Sequence, residues 1–112
     1  MDLAIPDTLD ARVRPATKDD VPRLIELIVE LARYERAEHE ALATEAQLHE
    51  ALFGPQPAVH ALVAEREPGG EVVGCAIWFL NFSTWLGIHG IYLEDLFVVE
   101  HERGTGLGKA LL

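Results

Sequence analysis

The sequence predicts a single α+β domain in which helices flank a sheet, and three observations carry that expectation. Two helical patterns precede Pro57, a strand-like pattern follows it, and the last strand-like run leads into a glycine-rich turn and a helix start. At 112 residues the chain has room for one domain at most, and 49% hydrophobic with 25% charged residues suits a packed core rather than a disordered chain.

Each element has its own signal. Val13, flanked by Arg12 and Arg14 before Pro15, alternates as a short edge strand does within residues 11–16. Thr17, Asp19 and Asp20 offer helix caps, and Pro22 fits only a first helical turn, where its missing N–H has no partner to lose. A helix therefore begins at Asp19 or Asp20 and runs to about Arg36. Val21, Leu24, Ile25, Ile28, Leu31 and Ala32 share one face, with Arg23, Glu26, Glu30 and Arg33 on the other. Residues 37–43 carry no clear period and stay open between a loop and a frayed continuation. Thr44-Glu45-Ala46-Gln47 matches a capping box, so a second, shorter helix starts there and ends at Gly54, Pro55 and Pro57. Residues 58–67 and 71–80 are strand-compatible runs joined by Pro68-Gly69-Gly70, which predicts an antiparallel hairpin. A loop over 81–87 precedes residues 88–100. That run is apolar on both faces at Ile91, Tyr92, Leu93, Leu96, Phe97, Val98 and Val99, the pattern of a strand in the middle of a sheet.

Composition also bounds function. Nine Lys+Arg against 19 Asp+Glu give a net charge of −10, and the basic residues form no patch, which argues against nucleic acid or an anionic membrane as partner. Cys75, the single cysteine, lies inside an apolar run and reads as a buried reduced thiol, pointing to the cytoplasm. Residues 1–10 hold three aspartates and no basic residue, unlike a secretory signal, and no run reaches membrane-spanning length. The five histidines show no ligand spacing and no partner cysteines, so no metal site is expected.

Chemistry concentrates in Arg103-Gly104-Thr105-Gly106-Leu107-Gly108-Lys109, between the last strand and a helix start. Glycines there let backbone N–H groups converge on an anion, and the helix start adds aligned peptide dipoles, so a phosphate or pyrophosphate is the natural guest. The P-loop pattern fails twice, with Arg103 where it needs Gly and Ala110 where it needs Ser or Thr. The dinucleotide fingerprint fails because the third glycine arrives one residue early. The pattern that fits is Arg/Gln-x-x-Gly-x-Gly/Ala, met by Arg103, Gly106 and Gly108.

That pattern resembles the pyrophosphate loop of the GNAT superfamily of acetyl-CoA-dependent N-acetyltransferases. Ser83-Thr84-Trp85-Leu86-Gly87, followed by Ile91-Tyr92-Leu93-Glu94-Asp95-Leu96-Phe97-Val98, is similar to the strand before that loop in the spermidine/spermine (diamine) and thialysine acetyltransferase branch. Leu31-Ala32-Arg33-Tyr34-Glu35 and Val59-His60-Ala61-Leu62-Val63-Ala64-Glu65 resemble the same branch. The resemblance implies a GNAT-like mixed sheet flanked by helices, acetyl-CoA as co-substrate, a small primary amine (thialysine/lysine-like or polyamine) as acceptor, and a homodimer. It implies that Leu96, Phe97 and Val98 pair their backbone with the pantetheine arm, and that Arg103, Gly104, Thr105, Gly106, Leu107, Gly108 and Lys109 hold the pyrophosphate. Tyr34, Glu35 and Glu94 match positions that contact the amine. Residues 1–112 would then be the N-terminal portion of one domain, with the C-terminal part, including a tyrosine that acts as general acid, missing beyond Leu112.

A primary alkylammonium, with an ordinary pKa of about 10.4, must shed a proton before its nitrogen can attack. On the resemblance, Glu94 is the acid that accepts it, directly or through water. Strand alternation points Glu94 and Asp95 to opposite faces, so both enter one cleft only if a bulge rotates one of them. The bland reading of this pair is an exposed hairpin feature, and that of Tyr34 and Glu35 is a packing aromatic and a solvated charge. Trp78 reads as core, and Trp85 stays open between core and a substrate-binding wall. Ser83 stands where polyamine-specific members of the branch carry an acidic residue, which favours a short amine. A non-catalytic CoA-binding or dimerising remnant of the fold is the alternative to the enzyme.

Overall fold

The computed structural model describes residues 10–112, so the acidic stretch before Asp10, read above as no secretory signal, lies outside the described residues. Strands β1 (Val13–Pro15), β2 (His60–Glu65), β3 (Val72–Ser83) and β4 (Ile88–Val98) pair in that order, antiparallel throughout. Helices α1 (Val21–Tyr34), α2 (Glu45–Phe53) and α3 (Leu107–Leu111) complete an α+β arrangement, with 3-10 turns at Lys18–Asp20, Glu38–Glu40 and Glu100–Glu102.

The entry to α1 is built on Asp20. Its buried carboxylate accepts from the Thr17 N–H at 2.7 Å and the Thr17 hydroxyl at 3.1 Å, and the Arg14 guanidinium donates to its two oxygens at 2.7 and 3.0 Å. Burial alone would push this acid up, but the Arg14 and Thr17 donors outweigh it and hold Asp20 below the usual carboxylate range. Leu24 and Leu27 then point inward at 0% exposure, each contributing about 1.5–3 kcal/mol by burial. The helix stops at Tyr34, short of Arg36, because Arg36 takes φ 58° and the Ala37 N–H reaches back to the Ala32 carbonyl at 2.7 Å. The segment left open by sequence holds the Glu38–Glu40 turn, braced by Arg33 Nη2 donating to Glu38 at 3.0 Å. The α2 capping box forms as predicted. Thr44 Oγ1 accepts from the Gln47 N–H at 3.1 Å, and Gln47 Oε1 accepts from the Thr44 N–H at 2.9 Å.

In the sheet, β3 lies between β2 and β4 and is buried from Val72 to Ile77. A Cβ on Gly74 would stand 3.0 Å from the Phe97 carbonyl oxygen and 3.4 Å from Leu111 Cδ1, so only glycine lets α3 seat so closely. Alternation turns Val73, Cys75 and Ile77 to the opposite face, toward α1. Two expectations are corrected. The predicted loop over 81–87 shrinks to residues 84–87, because Asn81, Phe82 and Ser83 pair with Gly90, His89 and Ile88. Also, β4 is the outermost described strand rather than a central one, with Ile88, Ile91 and Tyr92 exposed. Apolar residues on both faces of a run say that it tolerates cover, whereas its neighbours decide whether cover is there.

Candidate functional site

The ladder between β3 and β4 is irregular where Ile77 pairs with Asp95 while Trp78 pairs with Leu93, which leaves Glu94 as the extra residue on β4. This bulge is the condition under which Glu94 and Asp95 serve one cleft. Both line a cavity of about 240 Å³, together with Glu35 at the end of α1, Glu40 on the neighbouring 3-10 turn, and the apolar walls Ile28 and Leu31. Burial pushes the Asp95 carboxyl above its ordinary range, and the charges of Glu94 and Glu35 act in the same direction. Among the described residues no basic side chain lines this cavity, and α1 points its negative end there, so the field favours a cation.

A second cavity of about 380 Å³ adjoins the first, sharing Leu31 and Glu35 with it, and reaches Tyr34, Leu96, Phe97, Val98, Arg103 and Gly108. Among the described residues β4 pairs only with β3, so the outer backbone edge of Leu96–Val98 carries no strand. Arg103 Nε donates to the Val98 carbonyl at 2.9 Å. Its guanidinium carbon stands 4.8 Å from the Tyr34 ring centroid and 5.5 Å from that of Phe97.

The glycine loop continues from Arg103. Gly104 and Gly106 take φ 89° and 86°, conformations that a Cβ disfavours, and among the described residues no heavy atom outside Gly104 and its chain neighbours lies within 4 Å of where a Cβ on Gly104 would stand. The loop is tied down on its far side. The Thr105 hydroxyl donates to the Glu102 carbonyl at 2.7 Å, and Arg12 Nη2 donates to the Thr105 carbonyl at 3.1 Å. Leu107, 1% exposed, anchors the start of α3 in the core, while Lys109 is exposed. The result is an open glycine backbone with cationic side chains beside it, Arg12 and Arg103 among them, which suits an anionic group at the end of an extended ligand lying along β4.

The structure thus gathers Tyr34, Glu35, Glu94, Leu96, Phe97, Val98, Arg103 and Gly108 around two adjoining cavities, with Gly104, Thr105, Gly106, Leu107 and Lys109 in the loop beside Gly108. Trp85 is not among them. It stands at the tip of the β3–β4 hairpin, 96% exposed, and lines neither cavity. Ser83 also stays out, its hydroxyl accepting from the Leu86 N–H at 3.1 Å within that turn. Two contributors escaped the sequence reading. Glu40 sits in a segment without period, and Arg12 meets Thr105 across 93 positions of chain, so neither left a local signal.

Comparison with known proteins bears on the family and the fold. The family model described as the acetyltransferase (GNAT) family matches residues 22–112. The thialysine N-epsilon-acetyltransferase of Mus musculus is 36% identical over 107 residues, covering 90% of this chain and 62% of the relative. The spermidine/spermine N(1)-acetyltransferase-like protein 1 of Homo sapiens is 33% identical over 106 residues, covering 90% of this chain and 15% of that protein. Among solved structures, an integron cassette protein from the mobile metagenome of Cole Harbour Salt Marsh superposes with a TM-score of 0.70 at 29% identity, covering 89% of this chain and 64% of that one. The chain therefore spans about 62% of the length of the Mus musculus and Bos taurus thialysine N-epsilon-acetyltransferases it matches. Among the described residues no helix is long and apolar enough to cross a membrane.

Proposed function

This chain belongs to the acetyltransferase (GNAT) family, and on that premise we propose that the protein carrying it transfers acetyl from acetyl-CoA to a small primary amine. The observation that carries the reading is the junction of an acidic cavity with a groove that ends at an open glycine loop, both opening on Glu35. The residues fit the co-substrate. Gly104 and Gly106 leave backbone open to a pyrophosphate, Arg103 and Lys109 supply counter-charge, and the free edge of Leu96–Val98 offers backbone groups to the pantetheine amides. Acetyl-CoA supplies the activated acetyl group as a thioester.

The chain's own residues then have an electrostatic and an acid–base task. Glu35, Glu40, Glu94 and Asp95 draw an ammonium into the smaller cavity, and Ile28 and Leu31 hold its alkyl part. Glu94 accepts the proton that the ammonium must lose, directly or through water. Asp95 is a second reading for this role, favoured by its deeper burial and raised pKa, which move it closer to the range of an effective base. The names of the relatives support a short amine of the thialysine or lysine type, although Ser83 lines neither cavity and lends this choice no weight. The exposed Leu80, Phe82, Ile88 and Ile91 on one hairpin support a homodimer. Burial pushes the Cys75 thiol up to about 12, in keeping with a reduced cysteine in the cytoplasm. The test is calorimetric titration of CoA, followed by acetyl transfer to lysine, with the full-length gene product. Absence of CoA binding would overturn the proposal, and binding without transfer to any amine would favour the non-catalytic remnant.

A further inference from the structure

Resting on the cofactor reading above, we infer that Arg12, 93 positions before Thr105 in the chain, is a positioning residue for the pyrophosphate, holding the Thr105–Gly106 peptide so that the Gly106 N–H is presented to the anion. The Arg12 side chain is itself held. Its Nε and the Arg12 backbone N–H both donate to Asp10 Oδ1 at 2.9 Å, and its Nη2 pairs with Asp10 Oδ2. The Arg12 backbone is tied to the sheet, because its carbonyl accepts from the Glu65 N–H at 2.7 Å at the end of β2. From that frame Nη2 reaches the Thr105 carbonyl at 3.1 Å.

A trans peptide turns its C=O and its N–H in opposite directions, and the Thr105–Gly106 peptide is trans. A donor on the Thr105 carbonyl therefore aims the Gly106 N–H away from Arg12. Among the described residues nothing accepts from that N–H, whereas the Gly106 carbonyl is taken by the Ala110 N–H at 3.0 Å. Glycine has the loosest backbone of any residue, so with Gly104 and Gly106 on either side an untied peptide would rotate, and the anion would have to stop that rotation at an entropic cost. The Thr105 hydroxyl, bonded to the Glu102 carbonyl, fixes the side chain and leaves this peptide plane to Arg12. Orientation is what Arg12 adds beyond a matched charge. Asp10 lies against the guanidinium, and the hydrogen bonds from Arg12 hold its carboxyl down to about 2, so the two opposite charges stay paired at neutral pH.

The experiment uses the full-length gene product with CoA as the ligand. In wild type, the Gly106 amide exchanges freely with solvent in the free protein and becomes protected, its proton resonance moving downfield, on saturation with CoA; this measurement needs no variant. Calorimetry gives CoA binding about three- to tenfold weaker in Arg12→Ala, and kinetics at saturating lysine place the same factor in KM for acetyl-CoA with kcat little changed. Asp10→Ala separates orientation from charge by the sign of its effect. Loss of Asp10 frees the guanidinium from its frame, so orientation predicts weaker CoA binding, whereas a charge acting directly on the phosphates would be unmasked and bind CoA more tightly. A Gly106 amide left unprotected by bound CoA would overturn the inference, as would wild-type CoA affinity in a folded Arg12→Ala protein or tighter binding in Asp10→Ala. In each of these cases the cofactor reading stands, whereas failure of wild type to bind CoA at all overturns both.

Discussion

Gly106 offers a direct test of the loop, because two substitutions there separate backbone conformation from charge. Its φ of 86° lies in the left-handed region, so Gly106→Ala costs about 1–2 kcal/mol of folding stability. Space is not the issue. The nearest heavy atom to an added Cβ is Arg12 Nη2 at 3.8 Å, an ordinary contact at the end of a flexible side chain. Gly106→Glu carries the same backbone penalty and adds a negative charge beside the bound pyrophosphate. At a separation of about 5 Å, even the dielectric constant of water gives roughly 0.8 kcal/mol per charge pair, hence about 1.7 kcal/mol against two phosphate charges. The lower dielectric near a protein surface raises this severalfold. CoA affinity should therefore fall about tenfold or more in Gly106→Glu relative to Gly106→Ala, while urea titrations of the two variants give similar stabilities. Raising ionic strength should narrow the gap. A folded Gly106→Glu protein that binds CoA as tightly as Gly106→Ala would refute placement of the pyrophosphate at this loop.

The remaining predictions concern the acidic cavity and the frame that holds it. Glu94→Gln should lower kcat/KM about 10²- to 10⁴-fold with little change in CoA affinity, and if only Asp95→Asn does so, Asp95 is the base. Because the folded state raises the Asp95 pKa, this acid is neutral in both states at low pH. It destabilises the fold as pH rises through the unfolded value of about 3.9 and on to the folded one. Asp95→Asn should accordingly match wild type in Tm near pH 3 and exceed it at pH 7, and equal values at both would remove the case for a perturbed carboxyl. Arg14→Ala should cost about 3 kcal/mol in urea denaturation, since it strands the buried carboxylates of Asp20 and Glu65 without their shared cation. A loss below about 1 kcal/mol would show water taking over as their partner. Across a panel of lysine, thialysine, diamines and polyamines, kcat/KM should be highest for the short amines, and a clear preference for spermine would reverse that choice.

What the sequence determined by itself is what short-range physics encodes. The α1 stripe of Val21 and Leu24, the Thr44–Gln47 capping box, the turn at Pro68-Gly69-Gly70 and the Arg103–Lys109 loop each involve residues within a few positions of one another, where periodicity, capping and φ preference act. The α+β class and the family follow from the same local patterns in order. Tertiary structure alone decided the rest. Glu94 and Asp95 share a cavity because β4 has one residue more than β3 can match, and a bulge belongs to a pair of strands, leaving no mark in either sequence. The raised pKa of Asp95 comes first from its burial in the folded chain, then from Glu94 and from Glu35, which is brought from the end of α1 some 60 positions away. Trp85, a natural choice for a binding wall by type, is exposed at a hairpin tip because β3 and β4 pair beyond where composition ends them. The place of β4 at the edge of the described sheet was equally out of reach of its own residues, because an apolar run carries no information about which strands stand beside it.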